Sequence, residues 1–401
     1  MIRGAAHVVI AFGAIAFGLM ALVLLAAAGR SEAAGPQPVQ EVRVGYLSRA
    51  VALPPGLSTL QVAPEDDGLQ GARLAIADNN TTGRFTGHRF TLAESVLAED
   101  GDVAAGLAAL DVPYVVSTLN GEGLDRLLAA AGGGEILIFN AGAADDRFRN
   151  RDCRANLLHT LPSRAMLADA LGQYLVRKTW KRWVLVTGPS RADALFADAV
   201  RRAAGRFGGR IVAEKTWSEQ LDIRRTAEAE VPVFTQVAEH DVLIVADELG
   251  LFGEYLPYRT WAPRPVAGTQ GLVPVAWDAS LEQWGALQLQ SRFRRQAGRD
   301  MTETDYAAWA AIRSIGEAAS RSRSSEFAAI AAYIRGDAFE FAGFKGLSLS
   351  YRPWDGQLRQ PIPLVTARAV VSMSPQEGFL HPQTALDTLG HDRPESECRH
   401  D

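Results

Sequence analysis

The chain has 401 residues, which is too long for one ordinary hydrophobic core and favours two domains. Its 41 Lys and Arg residues stand against 46 Asp and Glu residues, so the formal net charge is −5. A mildly acidic chain without a basic run argues against nucleic acid as a partner.

The first 33 residues have the pattern of a secretory signal peptide. A positive start precedes an uncharged apolar stretch at 8–28, and small residues that suit cleavage follow before residues 29 and 34. The apolar stretch is also long enough to span a bilayer, so an uncleaved membrane anchor is the alternative. In both cases the rest of the chain is predicted to be exported.

Only two cysteines occur, Cys153 and Cys398, and both lie in the exported part. An even number of cysteines in an oxidising compartment predicts one disulfide between them. There is no Cys-x-x-Cys pattern, so a zinc or redox site is disfavoured.

Strands and helices alternate through the first half. The first helix has Leu69, Ala72 and Ile76 on one face, and it is predicted to end at the turn 79–83, because Asn and Gly adopt the left-handed backbone that ends a helix. The predicted strands are at 41–48, 88–96, 112–119 and 135–142, and two further helices are at 101–110 and 120–132.

The same alternation restarts after Cys153. Helices are predicted at 166–179, 191–208, 225–239 and 302–322, and strands at 182–188, 210–217, 241–248 and 264–277. Two strand-like runs within 347–367 flank Asp355-Gly356, which indicates a hairpin turn. Residues 374–401 lack a period and are predicted to be a surface tail.

Several strands are continuous apolar runs, such as PYVV at 113–116 and EILIF at 135–139. Such runs are typical of a parallel sheet that is covered by helices on both faces. The sequence therefore predicts an α/β protein built from two doubly wound halves.

Three long segments resemble type I periplasmic binding proteins, the Leu/Ile/Val-binding-like components of ABC transporters. EVRVGYLS with GLQGARLAIADNNTTGRFTGHRFTLAESVLAED resembles the start of that family, and NLLHTLPSRAMLADALGQYLVRKTWKRWVLVTG resembles its first passage between lobes. GFKGLSLSYRPWDGQLRQPIPLV resembles its final hairpin, so the resemblance covers residues 41–373.

Shorter segments are most similar to a narrower subgroup, the binding proteins that accompany PQQ-dependent alcohol oxidation. These segments are EDDGLQGARLAIADNNTTGRF, CRANLLHTLPSRAMLADALGQYL and EGFLHPQTALDTLG.

The resemblance implies two doubly wound parallel-sheet lobes joined by three crossover segments, near 153–163, 261–270 and 340–360. Lobe one would comprise 41–153 with 267–345, lobe two 154–266 with 346–373, and 374–401 would be the tail. A small solute would bind between the lobes and pass to an ABC permease in the inner membrane, so the protein would work in the periplasm without a cofactor and without being an enzyme.

The family places ligand contacts in loops that follow strands. On that basis the candidate ligand-binding residues are Ser48, Arg49, Ser117, Thr118, Asn140, Ser190, Asp247, Glu248 and Gln270. Ser117 and Thr118 precede a helix, so a plain helix cap is their alternative role. The adjacent carboxylates of Asp247 and Glu248 favour a ligand with positive charge or hydroxyl donors, and a solvated strand end is their alternative.

Three features depart from the amino-acid binders of the family. The loop after the first strand is long and rich in proline, and TGPSRADALFAD at 187–198 lacks an aromatic-Gly pair. The acidic stretches Glu65-Asp66-Asp67 and Asp247-Glu248 would suit a hard cation, although the first would also suit a helix N-terminus.

Two alternatives to solute import therefore stay open. One is a protein that binds Ca²⁺ or a lanthanide, and the other is a sensor that passes a signal to a membrane partner. An enzyme is disfavoured, because the sequence has no Gly-x-Ser-x-Gly, His-Glu-x-x-His, P-loop or Gly-x-Gly-x-x-Gly motif.

Overall fold

The structure is a computed structural model that describes residues 39–50, 64–217 and 230–399. The chain divides into Met1–Val39 and Gln40–Asp401, and only the second unit is described below. The predicted signal peptide at 1–33 lies outside the described residues. Within the described ranges, no helix is long and apolar enough to cross a membrane.

Five parallel strands form sheet one, in the order β2-β1-β3-β4-β5. They are β1 (Gln40–Arg49), β2 (His88–Leu97), β3 (Tyr114–Ser117), β4 (Leu137–Asn140) and β5 (Leu157–His159). The connecting helices are α1 (Leu69–Thr86), α2 (Val103–Leu110) and α3 (Gly121–Ala131). The central strands are buried on both faces, as the continuous apolar runs predict.

Four parallel strands form sheet two, in the order β7-β6-β8-β9. They are β6 (Arg182–Thr187), β7 (Arg210–Thr216), β8 (Val242–Ala246) and β9 (Val266–Gly268). The helices of this lobe are α4 (Arg164–Arg177), α5 (Arg191–Phe207) and the short α6 (Leu256–Arg259). The predicted α/β fold with two parallel-sheet lobes is therefore confirmed.

Three later helices return to sheet one: α7 (Ala286–Ala297), α8 (Glu303–Ser322) and α9 (Phe327–Arg335). Helix α8 packs along α1 in one apolar cluster that also contains Val42, Val44 and Tyr46 of β1. A Cβ atom at Gly71 would collide with the backbone of Asp305, so the close approach of the two helices requires glycine at this position.

Short antiparallel strands lie where the chain passes between the lobes. One group is β10 (Val273–Pro274), β14 (Ile362–Thr366) and β15 (Ala369–Ser374), and the other is β11 (Phe341–Ala342), β12 (Ser348–Tyr351) and β13 (Leu358–Arg359). Strands β12 and β13 pair around Asp355-Gly356, which confirms the predicted hairpin. The chain passes between the lobes after β5, after β10 and between β13 and β14.

The predicted lobe boundary at 266/267 cuts strand β9. This strand bonds to β8 from Val266 to Gly268, so the chain is still in sheet two at that point. Strand β10 then pairs with β14, whose Ile362 and Leu364 belong to the core of the second lobe. We therefore propose that the second passage follows β10, because β9 and β10 both pair with strands of the second lobe.

The predicted end of the first helix at 79–83 is wrong. Helix α1 continues to Thr86 and ends at Gly87, whose φ of 75° is left-handed. Buried Asn79 donates to the carbonyl of Ile312 at 2.8 Å, and Asn80 bonds both the N–H and the carbonyl of Phe90. These partners outside the helix stabilise both asparagines inside it.

The predicted surface tail is also wrong in part. Leu386, Asp387 and Leu389 are buried, and Asp387 accepts from the guanidinium groups of Arg352 at 2.9 Å and Arg359 at 2.8 Å. The tail packs on the second lobe, because the N–H of Gly390 donates to Asp169 of α4 at 2.8 Å.

The predicted disulfide between Cys153 and Cys398 is confirmed, with Cα atoms 5.5 Å apart. Cys153 lies between β4 and β5 of lobe one, whereas Cys398 ends the segment that packs on α4 and α5 of lobe two. The disulfide is therefore a covalent link between the lobes in addition to the three passages.

A network of buried polar side chains joins the three passages. The Gln360 amide donates to the carbonyl of Thr160 at 2.8 Å and accepts from the Lys345 ammonium at 2.6 Å. The carboxylate of Glu303 accepts from the N–H of Ala276, and its charge acts on Lys345. Burial raises the pKa of Glu303 to about 7 and lowers the pKa of Lys345 to about 7.

Removing the disulfide should destabilise the protein. We expect the double variant Cys153→Ser with Cys398→Ser to lower the free energy of unfolding by about 2–5 kcal/mol, because the disulfide closes a long loop in the unfolded chain. Urea unfolding followed by circular dichroism measures this, with the reduced wild type as the control. Equal midpoints for the oxidised wild type and the double variant would contradict it.

Glu303 should make stability depend on pH. The folded state keeps a proton on Glu303 between pH 4.5 and about pH 7, where the unfolded chain has released it, so this contribution to stability falls as pH rises through that window. Glu303→Gln should therefore gain stability relative to the wild type from pH 4.5 to 7. The difference in thermal midpoint measures it, and exposed Glu135→Gln is the control. A difference in thermal midpoint between Glu303→Gln and the wild type that does not change with pH would contradict the raised pKa of Glu303.

Candidate functional site

A cavity of about 430 Å³ lies between the two lobes, and we call it the interlobe cleft. Its walls are the first residues of α3 and α5 and the loops beside them, because both helices start at the carboxyl ends of parallel strands. The lining residues are Asn120, Gly121, Glu122, Asp125, Asp145, Arg147, Arg164, Arg191, Ala192 and Leu195.

The side chain of Arg164 bridges the two lobes inside the cleft. Its Nε and Nη2 atoms lie 2.6 Å from the two carboxylate oxygens of Glu248, which follows β8 of lobe two. Its Nη1 atom lies 3.3 Å from Oδ2 of Asp145, which follows β4 of lobe one. Only 8% of the Arg164 side chain is exposed, so solvent screens this bridge weakly.

Backbone bonds strengthen the same contact between the lobes. The N–H of Arg164 donates to the carbonyl of Ala144 at 3.0 Å, and the N–H of Ala165 donates to Asp146 at 2.9 Å. The first turn of α4 is thus capped partly by lobe one and partly by its own Ser163, which accepts from the Met166 N–H.

The charges that line the cleft balance. Three acidic residues, Glu122, Asp125 and Asp145, oppose the three arginines Arg147, Arg164 and Arg191. Arg147 bonds Asp125 on the cleft wall, and Arg164 bonds Asp145. Burial raises the pKa of Glu248, and its bonds to Arg164 oppose that shift. The cleft as a whole therefore favours neither a cation nor an anion.

The acidic pair predicted in lobe two is used internally. The Asp247 carboxylate accepts from the N–H groups of Leu251, Phe252 and Gly253 at 2.9, 2.9 and 2.6 Å, so it organises its own loop. Glu248 is neutralised by Arg164. These partners within the protein give no support to the expectation that the two carboxylates attract a cationic ligand, which stays a prediction.

Ser190 and Gln270 are the other predicted residues of lobe two. Ser190 caps α5 through a reciprocal pair of bonds with Asp193, and it directly precedes Arg191 of the cleft. Gln270 is half-buried beside Gly253.

Three of the residues predicted in lobe one have structural partners. Asn140 is buried and bonds both backbone groups of Ala143 at 2.8 Å, which shapes the loop after β4. Ser117 is buried, and Thr118 Oγ1 lies 3.1 Å from the hydroxyl of Tyr46. The alternative role of Ser117 and Thr118, a plain helix cap, is not observed, because Asn120 caps α3.

Ser48 and Arg49 end β1. Ser48 is buried, and Arg49 donates to the carbonyl of Gly101 at 2.8 Å, in the loop that precedes α2. None of the nine predicted residues is among those that line the cleft, although Glu248 reaches it through Arg164. A role of any of the nine in ligand binding stays a prediction.

Two helix starts at the cleft can be recognised from the sequence. Ser163 before Arg164, and Asn120 before Gly121, are recognisable helix starts. What the sequence could not show is that Arg164 reaches both Glu248 and Asp145, because those contacts arise only when two loops distant in the chain meet.

The acidic stretch before α1 also has internal partners. Arg299 lies 2.9 Å from Asp66 and 2.5 Å from Asp305, and Asp67 accepts from the hydroxyl of Thr302. Over the described ranges, no group of three or more His, Cys, Asp or Glu residues could hold a metal ion. The alternative of a Ca²⁺- or lanthanide-binding protein gains no support from this region.

Comparison with known proteins agrees with this architecture. Residues 57–229 match the family model described as periplasmic binding protein. No curated protein matches the chain.

Solved structures match over nearly the whole chain. A branched chain amino acid ABC transporter periplasmic ligand-binding protein from Burkholderia xenovorans has a TM-score of 0.69 at 15% identity, covering 89% of this chain and 99% of its own. A leucine-, isoleucine-, valine-, threonine- and alanine-binding protein from Brucella ovis has a TM-score of 0.65 at 15% identity, covering 90% and 99%. A periplasmic binding protein from Burkholderia mallei has a TM-score of 0.63 at 14% identity, covering 90% and 98%.

At these identities the structural likeness establishes the fold. The described chain has the type I periplasmic binding fold, and its residues 57–229 match the periplasmic binding protein family.

Proposed function

We propose that this protein is the periplasmic substrate-binding component of an ABC importer and captures a small solute in the interlobe cleft. The observation that carries the proposal is the Arg164 bridge, which joins the carboxyl-end loops of both parallel sheets at one cavity. A solute there would touch both lobes, which is the arrangement that lets a ligand favour closed lobes over open ones. The solved structures of similar fold are described as binding proteins of ABC transporters.

The lobes that follow from this proposal differ slightly from the predicted ones. We assign 40–159 with 278–359 to lobe one and 160–277 with 360–399 to lobe two, so that each passage falls between paired strands. The C-terminal segment then belongs to lobe two, where it covers α4 and α5.

The solute is proposed to be neutral or zwitterionic. A ligand with a net charge would disturb a set of three acids and three arginines that already compensate each other. The N-terminal turns of α3 and α5 add backbone N–H groups that suit an acceptor such as a carboxylate or hydroxyl oxygen. Several structural neighbours are described as binding proteins for branched-chain amino acids, which are zwitterions.

The link to PQQ-dependent alcohol oxidation is part of the same proposal. It rests on the resemblance of the segments at 65–85, 153–175 and 377–390. The loop at 187–198 forms the start of α5 and places Ser190 and Arg191 where the resemblance leads one to expect an aromatic-Gly pair. Alcohols and their acid products therefore belong among the ligands to be tested beside amino acids.

Filling the cleft tests the proposed site. The first probes are L-leucine, L-isoleucine, short alcohols and their carboxylic acids, screened by thermal shift and then by calorimetry. A ligand at 100 times its dissociation constant should stabilise the wild type by about 2.7 kcal/mol.

Ala192→Trp places an indole in the cleft and should weaken binding at least tenfold. Ala105→Trp, on the exposed face of α2, is the matched control.

Two results would overturn the proposed site. One is equal affinity of Ala192→Trp and the wild type for the ligand found. The other is equal loss of affinity in Ala192→Trp and Ala105→Trp, which would point to general destabilisation.

The Arg164 bridge should contribute measurably to stability. Arg164→Gln leaves Glu248 and Asp145 without their cation in a largely buried place, so we expect it to lower the free energy of unfolding by about 2–4 kcal/mol. Adding Glu248→Gln should recover part of that loss, because one unpaired charge disappears. Urea unfolding of the single and double variants gives the coupling free energy.

The pair Arg73–Glu94 is a matched control for this measurement. It has the same two-bond geometry, at 2.7 Å, but 45% of the Arg73 side chain is exposed. Arg73→Gln should therefore change the free energy of unfolding by less than about 1 kcal/mol. A coupling between Arg164 and Glu248 as small as that of the control would refute the role of the bridge.

A further inference from the structure

A second cavity, of about 420 Å³, lies at the opposite edge of sheet one from the interlobe cleft. We call it the hinge-side pocket. It is bounded by the amino ends of β4 and β5, by α9, and by the hairpin β12–β13 that leads to the third passage. The lining residues are Gly134, Ile136, Arg154, Ala155, Asn156, Leu157, Leu158, Phe327, Arg335, Tyr351, Arg352, Pro353 and Gly356.

The floor of the pocket is apolar. Ile136, Leu157 and Phe327 provide aliphatic and aromatic surface, and the hairpin adds Tyr351 and Pro353. A cavity of this size with apolar walls and a few polar groups is typical of small-molecule sites.

The charged residues that line the pocket are all arginines. Arg352 is buried and bonds Asp387 together with the carbonyls of Leu386 and Leu389, so these partners already compensate its charge. Arg335 donates to the carbonyl of Ala155 at 2.7 Å, and no carboxylate of the described residues pairs with it.

Arg154 adds a second uncompensated charge. Its side chain has no hydrogen bond or ion pair within the described ranges, and it lies next to Ala155 at the rim. Two guanidinium groups without carboxylate partners at the edge of an apolar cavity attract an anion with an apolar body, because a guanidinium binds a carboxylate through paired hydrogen bonds.

We propose that the hinge-side pocket binds a small amphipathic carboxylate, with the carboxylate at Arg154 and Arg335 and the apolar part against Ile136, Leu157 and Phe327. This site is separate from the interlobe cleft and does not depend on what that cleft binds. Because Tyr351, Pro353 and Gly356 belong to the hairpin before the third passage, the bound molecule would contact both lobe one and a segment that joins the lobes.

Calorimetry with decanoate tests the proposal, with decanol and decyltrimethylammonium as matched neutral and cationic probes below their aggregation concentrations. We expect one decanoate per chain, bound at least tenfold more tightly than either matched probe. Arg154→Gln with Arg335→Gln should reduce the decanoate affinity at least tenfold and leave the weak binding of decanol unchanged.

A blocking variant keeps the test independent of charge. Ala155 is exposed at the rim, so Ala155→Trp should close the pocket without disturbing the core and should abolish decanoate binding. Ala105→Trp and the cleft variant Ala192→Trp should both bind decanoate like the wild type.

Four outcomes would overturn the proposal. The first is equal affinity for decanoate and decanol, and the second is decanoate binding that Ala155→Trp does not change. The third is loss of binding in Ala192→Trp, which would assign the carboxylate to the interlobe cleft. Binding to anionic phosphatidylglycerol vesicles without binding to free decanoate would also overturn it, because the ligand would then be a membrane surface.

Discussion

A buried arginine fixes the join between the two lobes. Arg149 is 2% exposed, and its guanidinium donates to the carbonyls of Ala143 and Leu161 at 2.8 Å and to the side chain of Gln357 at 2.9 Å. These three acceptors belong to the loop after β4, the first passage and the final hairpin. Burial lowers the pKa of Arg149 to about 10, so at neutral pH the group remains charged and needs every one of these partners.

The partners of Arg149 also determine where the cleft lies. Gln357 donates in turn to the carbonyls of His159 and Leu161, so the first passage and the hairpin are held by the same amide. The loop that Arg149 shapes continues through Asp145 and Asp146, which bond Arg164 and Ala165 of lobe two. The space between the starts of α3 and α5, beside this polar contact, is the interlobe cleft that we propose as the ligand site.

The sequence predicted the layers of the fold better than the contacts between them. Apolar runs and helix starts are local, so the strands of both sheets except β5, and the cap of α8 at Thr302, could be placed from the residues alone. Strand β15 was missed, because its half-exposed residues, such as Val371, do not form an apolar run. The buried Asp387 was missed as well, since its partners Arg352 and Arg359 lie far away in the chain.

Asn79 and Asn80 show why local propensity failed at the end of α1. In isolation, two asparagines followed by Gly83 favour a helix end. In the fold, Asn79 bonds Ile312 of α8 and Asn80 bonds Phe90 of β2, so each side chain gains partners only if the helix continues. Tertiary hydrogen bonds thus outweighed a preference that is worth less than about 1 kcal/mol per residue.

The same reasoning applies to the acidic pair of the second lobe. Asp247 and Glu248 stand beside each other after a buried strand, and only the structure shows that three backbone N–H groups and one guanidinium already satisfy them. A carboxylate that is fully bonded within the protein adds little to ligand affinity, because binding would have to replace bonds as good as those it forms. For the proposed ligand site in the interlobe cleft, we therefore expect specificity to come from groups that have no partner among the described residues, such as the guanidinium of Arg191 and the uncapped N–H groups in the first turns of α3 and α5.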